Sequence, residues 1–121
     1  MKIVNMAKVS KIERTGDFFM GGRVSAQELV TKETGNYCRV AQIHFAKGAR
    51  NKFHTHSTYQ LLIVTAGKGI VATENEQVVV GVGDIILFPA GENHWHGAAK
   101  DSEFSHIMIV PLGSEMTQTE K

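Results

Sequence analysis

The sequence predicts an all-β fold, a small antiparallel β-barrel or sandwich, and three observations carry that expectation. Short runs rich in β-branched and aliphatic residues recur at intervals of roughly eight to twelve residues. Glycine-containing or polar turn signals separate them, and no segment sustains a helical period with caps. The two prolines of the chain, Pro89 and Pro111, both fall at strand ends, where a missing N–H does no harm.

Taken in order, residues 1–19 show no pattern and read as a flexible tail or as an arm that pairs with another subunit, as do residues 113–121. Residues 25–30 admit two readings. Ser25 with Glu28 three positions later would cap a turn of helix, and the same residues would serve as an extended edge segment. Residues 39–45 alternate, with Ala41, Ile43 and Phe45 on one face and Gln42 and His44 on the other. Residues 59–65 are aliphatic and β-branched and end at Ala66-Gly67-Lys68-Gly69, a turn signal. Residues 70–73, 77–80, 85–88 and 104–110 complete the strands, with separators at 74–76, 81–84, 89–92 and 98–101. The whole chain, 1–121, reads as one domain, a barrel core at about 36–112 preceded by an N-terminal arm, 1–35.

Composition bounds the function. A chain of 121 residues, 42% hydrophobic and 21% charged, can bury a sizeable core and is not disordered. Its formal charge of +1 offers no electrostatic footprint for nucleic acid or an anionic membrane. The single cysteine, Cys38, cannot form an internal disulfide, so nothing argues for an oxidising compartment. The N-terminal residues lack the apolar stretch of a signal peptide, and the longest apolar runs, Leu61-Leu62-Ile63-Val64 among them, are far short of the roughly 20 residues of a membrane span. Cytoplasmic location is the default expectation.

Histidine is where the sequence departs from the average. All six histidines lie between His44 and His106, and four of them form two short clusters. On an extended strand, residues two apart share a face, so His54 and His56 present two imidazoles to one point and His94 and His96 do the same. Gln60 shares the inward parity of Leu62 and Val64. Imidazole suits several divalent transition metals, and an amide oxygen adds a harder, neutral donor. A single histidine in a strand is ordinarily a hydrogen-bonded polar group, and His44, on the more polar face of its strand, reads that way. Two His-x-His pairs in one small β domain, each after a glycine-rich turn, point instead to a metal site.

The spacing extends beyond the histidines. Gly48-Ala49-Arg50-Asn51-Lys52-Phe53-His54-Thr55-His56-Ser57-Thr58-Tyr59-Gln60, then six residues to Gly67, resembles the first cupin motif, G-x5-H-x-H-x3,4-E-x6-G, with Gln60 in place of the acid. Gly83-Asp84-Ile85-Ile86-Leu87-Phe88-Pro89-Ala90-Gly91-Glu92-Asn93-His94 resembles the second, G-x5-P-x-G-x2-H-x3-N, with Ala98 in place of the asparagine. The resemblance implies a small double-sheet jelly-roll barrel with a metal inside, held by His54, His56, Gln60 and His94. It also implies that Gly48, Gly67, Gly83 and Gly91 permit turns where a side chain would clash. Asp17-Phe18-Phe19-Met20-Gly21, the stretch from Thr55 to Gly67, and Gly91-Glu92-Asn93-His94-Trp95-His96-Gly97-Ala98-Ala99 are similar to a narrower group, the bacterial cupin hydroxynitrile lyases. That resemblance implies one divalent metal per subunit, manganese first with iron, zinc, nickel or cobalt as alternatives. It further implies a homodimer or higher homo-oligomer, and reversible cleavage of cyanohydrins to an aldehyde or ketone plus hydrogen cyanide.

A neutral Gln60 cannot take up a proton, so a general base must come from elsewhere. Two residues compete: His96, which shares the parity of His94, and His106, which strand parity puts with Phe104, Met108 and Val110 on an apolar face. Each also has a structural reading, as a core histidine bonded to backbone. Ala41, Ile43, Phe53, Leu62 and Met108 are the expected pocket lining for a small-molecule substrate. Two readings compete with the lyase: an oxygen-dependent metallo-dioxygenase, and a non-enzymatic cupin that binds a metal or small ligand.

Overall fold

The computed structural model describes residues 1–35 and 37–121, so the expected barrel boundary at residue 36 falls outside the described residues. Its strands are β1 (Ile12–Glu13), β2 (Phe19–Met20), β3 (Val24–Val30), β4 (Cys38–Phe45), β5 (Arg50–Asn51), β6 (His54–His56), β7 (Gln60–Thr73), β8 (Gln77–Gly81), β9 (Ile85–Phe88), β10 (His94–Ala98), β11 (Phe104–Pro111) and β12 (Met116–Gln118). Among the described residues the helical content is one 3-10 turn, Met6–Lys8, and no helix is long and apolar enough to cross a membrane. Every strand pairing is antiparallel. The all-β expectation holds.

The strands form two sheets that curl over a common interior. One runs β1-β3-β4-β11-β7-β9, and the other contains β8, β7, β10, β5 and β2, with β6 bridging β10 and β12. Strand β7 belongs to both. Its first half pairs with β11 and β9, and its second half with β8 and β10. Residues 66–69, expected as a turn, are therefore part of one continuous bent strand, and residues 70–73 are its second half.

The bend has a local cause. Between β7 and β11 the register runs Val64 to His106 but Ala66 to Ser105, leaving Thr65 as an extra residue, a β-bulge. Side-chain parity changes across it. Gln60, Leu62 and Val64 are buried before the bulge, and Gly69 and Val71 after it. Gly67 takes φ +71°, and a Cβ built there would sit 1.8 Å from the Glu103 carbonyl oxygen. Of the four glycines expected to relieve a clash, all have positive φ, yet only Gly67 is sterically enclosed; Gly48, Gly83 and Gly91 need the backbone freedom alone.

Apolar residues from both sheets fill the interior: Val24, Phe45, Leu62, Phe88, Phe104 and Met108 from the first, and Val71 of the second half of β7, Val80 of β8 and Ala98 of β10 from the other. The open question over residues 25–30 resolves as strand, since β3 pairs along β4 from Val24 to Val30. The terminal segments pair with strands of the same chain. β1 pairs with β3, β2 with β5, and β12 with β6.

Gly67→Ala should cost about 3 kcal/mol or more, because the side chain meets carbonyl backbone as well as a left-handed φ. Urea unfolding measures this, and a midpoint unchanged from wild type would contradict the enclosed corner.

Candidate metal centre

Cross-strand register brings the two histidine clusters together. On β6 and β10, His54 lies directly opposite His94, and His56 shares the face of His54 by the two-residue period. Gln60 opens β7 on its inward parity. His54, His94 and Gln60 are buried, at 2%, 1% and 3% exposure. One nitrogen each from His54, His56 and His94 lies within 4.8 Å of the others, close enough to share one ion.

Hydrogen bonds to backbone determine which nitrogens are available. His54 Nδ1 donates to the Lys52 carbonyl at 2.7 Å, and His94 Nδ1 to the Glu92 carbonyl at 2.8 Å. In neutral rings both protons are thereby placed on Nδ1, leaving lone pairs on Nε2, the outer-shell arrangement typical of metal-ligating histidine. His56 Nε2 is buried with no hydrogen-bond partner. Gln60 Oε1 stands 3.1 Å from His94 Nε2, two acceptors facing each other with no proton between them. A shared cation would stabilise all three features, so the residues fit a divalent metal. Aromatic neighbours hold the rings: Phe88 stacks on His94 at 3.8 Å between centroids, and Phe18 meets His54 edge-on at 5.0 Å.

The two remaining interior histidines form a separate pair. His106 is fully buried and His96 is 3% exposed. His106 Nε2 and His96 Nδ1 are 3.1 Å apart. Asn51 Oδ1 accepts the His96 backbone N–H at 2.9 Å, which turns its amide nitrogen towards His96 Nε2 at 3.2 Å. His96 Nε2 is then an acceptor, His96 Nδ1–H donates to His106 Nε2, and the His106 proton lies on Nδ1. Asn51 was not anticipated from the sequence, although it sits inside the first motif. His44, expected as a satisfied polar group, has both ring nitrogens engaged, by Ser105 Oγ and Gln27 Oε1 at 2.7 Å each.

A cavity of about 140 Å³ joins these two groups. His54, His56, Gln60, His96 and His106 line it on the polar side, and Phe18, Phe19, Ile43, Phe45 and Met108 on the apolar side. Ile43 and Met108 were expected there. Ala41 and Leu62 are instead fully buried, because both lie directly across from Met108 in the sheet and its longer side chain takes the lining position. Phe53 is also off the lining, since it precedes His54 by one residue and so points the other way. Phe18, Phe19, Arg14 and Met116 come from the terminal segments, where the sequence carries no pattern to mark them.

Burial keeps these imidazoles neutral. Desolvation lowers the pKa of His54 to about 3 and that of His94 to about 4. It lowers His106 to about 3, and pushes His96 well below its ordinary value with the neighbouring His106 adding to the effect. In the unfolded chain the same rings titrate near the usual histidine value. Between that value and about 3 the unfolded state binds more protons, so stability rises with pH across this window. The metal-free protein should therefore show a urea midpoint that falls steadily as pH is lowered from about 7 to 5, and a flat profile would contradict neutral burial.

Comparison with known proteins agrees with this geometry. The Cupin domain family matches residues 41–110. An (R)-mandelonitrile lyase of Granulicella tundricola is 44% identical over 70 residues, which cover 57% of this chain and 53% of that protein, so the match spans about half of the relative's length. Among solved structures, a cupin-like protein from Thermotoga maritima is 34% identical, with a TM-score of 0.84 over 90% of this chain and 84% of that one. The polyketide cyclase RemF of Streptomyces resistomycificus is 15% identical, with a TM-score of 0.89 over 100% of this chain and 87% of that one, a likeness of fold alone. More than half of the chain falls in the matched stretch, which also contains the histidine triad, and this chain belongs to the cupin family.

Proposed function

We propose that this protein is a metal-dependent carbon–carbon lyase acting on a small carbonyl adduct, with cyanohydrins as the first substrates to test. The observation that carries the reading is a neutral His54–His56–His94–Gln60 donor set, of which His54, His56 and Gln60 line one small cavity together with a separate buried imidazole pair. Similarity to the mandelonitrile lyase over residues of this domain supports it. A divalent metal held by the donor set, manganese first, would supply Lewis acidity that lowers the pKa of a bound hydroxyl towards that of the imidazoles.

The protein's own residues would then do the rest. In the assigned tautomer the Nε2 lone pair of His106 accepts from His96 Nδ1–H and that of His96 from the Asn51 amide, so either imidazole would receive the hydroxyl proton by exchanging that hydrogen bond for one from the substrate. As the hydroxyl oxygen becomes a carbonyl oxygen, the bond between carbon and nitrile breaks and the pair leaves on cyanide. Imidazolium in this dry setting is a strong acid, so it returns the proton to cyanide and hydrogen cyanide departs. Phe18, Phe19, Ile43 and Met108 exclude water from the reacting carbon. No redox change occurs, which separates this chemistry from a dioxygenase.

His106→Ala should retain bound metal and lose about a hundredfold or more in mandelonitrile cleavage, whereas His54→Ala should lose the metal. Both are read by elemental analysis beside an anaerobic assay with metal removal and add-back. Oxygen uptake without anaerobic cleavage would favour the dioxygenase, and metal binding with no turnover of either kind would favour a binding module.

We further infer a homodimer built on the outer face of the first sheet. There Leu61 opposes Leu87 and Ile109, and Ile63 opposes Ile85 and Ile107, an aliphatic face across β9, β7 and β11. Ile85 and Leu87 are 65% and 60% exposed, and a second copy of this face would cover them. Analytical ultracentrifugation should give a dimer that Leu87→Lys converts to monomer; a monomeric wild type would overturn the assignment.

A further inference from the structure

Two lining residues of the cavity have no part in the chemistry proposed above. Arg14 and Arg39 both border it, alongside the imidazoles and Gln60, and no carboxylate does. Arg39, on β4, is clamped by Glu28 of β3: Nε donates to Oε1 at 2.5 Å and Nη2 to Oε2 at 2.8 Å. That bidentate pair leaves Nη1 without a partner among the described residues and holds the guanidinium plane in place.

Arg14 differs. Its backbone N–H is tied to the Val24 carbonyl at 2.8 Å, which fixes where the side chain starts. Its guanidinium has neither a hydrogen-bond nor an ion-pair partner among the described residues. The neighbouring Glu13 carboxylate is engaged by Arg23 at 3.2 Å.

Charge at the cavity therefore does not balance. The imidazoles are neutral and Gln60 carries no charge. Glu28 offsets Arg39, and Arg14 remains as one uncompensated positive charge. A divalent metal would add two more, since its four ligands are neutral. A neutral cyanohydrin leaves that field unmatched, and a carboxylate matches it in sign and in fork geometry.

We infer that the natural ligand of this cavity is a small organic anion, a carbonyl adduct bearing a carboxylate, with Arg14 as its counter-charge and Arg39 Nη1 as a second, pre-positioned donor. The inference rests on the small-molecule lyase reading and narrows its substrate class. The hydroxyl or carbonyl end of such a ligand faces the His and Gln donors, and its apolar part packs on Phe18 and Ile43.

Calorimetric titration of the protein with mandelate, and with its neutral isostere mandelamide, tests this. Metal is first removed, so that a carboxylate cannot be held by the ion. Mandelate should bind at least about tenfold more tightly than mandelamide, and R14Q should weaken mandelate alone by about ten- to a hundredfold. Because the Arg14 side chain is exposed and unpartnered, R14Q leaves the fold intact. The double variant E28Q/R39Q removes the second donor without stranding Glu28 and should also weaken mandelate selectively. Equal affinities, an R14Q variant that binds mandelate like wild type, or no binding of either ligand would each overturn the anion site. The lyase reading fails separately: Arg14-dependent mandelate binding in a metal-loaded protein that cleaves no hydroxynitrile would sink the lyase and leave the anion site standing.

Discussion

Five imidazoles share the interior of one small barrel, and their neutrality is the constraint on which the rest depends. A buried charged histidine would need a carboxylate partner, and none lines the cavity. The fold supplies backbone carbonyls and an asparagine amide instead. Lys52 and Glu92 carbonyls take the Nδ1 protons of His54 and His94, and Asn51 directs the proton of His96 towards His106. Each bond fixes a tautomer, so the Nε2 lone pairs of His54 and His94 stay open to a cation, while those of His96 and His106 are engaged by Asn51 and by the pair itself. The interior thereby divides into a donor set suited to a cation and a pair suited to a proton.

That division depends on the bend in β7. Gln60 belongs to the half of β7 that pairs with β9 and β11, where His106 sits, whereas the other half pairs with β10 and so carries His94 and His96 opposite Thr73 and Val71. Without the extra residue at Thr65, parity would not change, and either Val64 or Val71 would face outward. Gly69 completes the corner. A Cβ there would lie 2.5 Å from the Phe104 ring, so the aromatic side chain packs directly on the bare backbone and closes the interior beneath His106.

Much of this was legible in the sequence, for reasons that differ by residue. His54, His56, Gln60 and His94 follow from the period of two together with glycine-flanked motifs, which are local signals. The strands at 39–45, 77–80, 85–88 and 104–110 were legible because each is bounded by turn residues. Residues 66–69 misled because two glycines look alike in a turn and in a bent strand; only pairing on both sides, to β11 and to β8, distinguishes them. The short strands β1, β2 and β12 carry no pattern, since two or three residues cannot show a period. Long-range bonds hold their surroundings, such as Ser57 N–H to the Glu115 carbonyl and Lys52 N–H to the Phe18 carbonyl. Phe18, Phe19, Arg14 and Met116 reach the cavity through those pairings, so their roles could not be read locally.

Gln60 ties the charge and the chemistry together. Glutamate at this position would bring one negative charge into the donor set, lower the net charge of a loaded site and offer a competing proton acceptor beside His94. The amide does none of these. In the proposed mechanism it leaves proton transfer to His96 and His106, and it would leave the positive charge of a bound divalent ion undiminished at the oxygen of a ligand. A site of that kind polarises a hydroxyl or carbonyl strongly and is matched best by a ligand that brings its own negative charge. The neutral donor set, the isolated imidazole pair and the uncompensated Arg14 are therefore three consequences of one arrangement, an interior that contains no acid of its own.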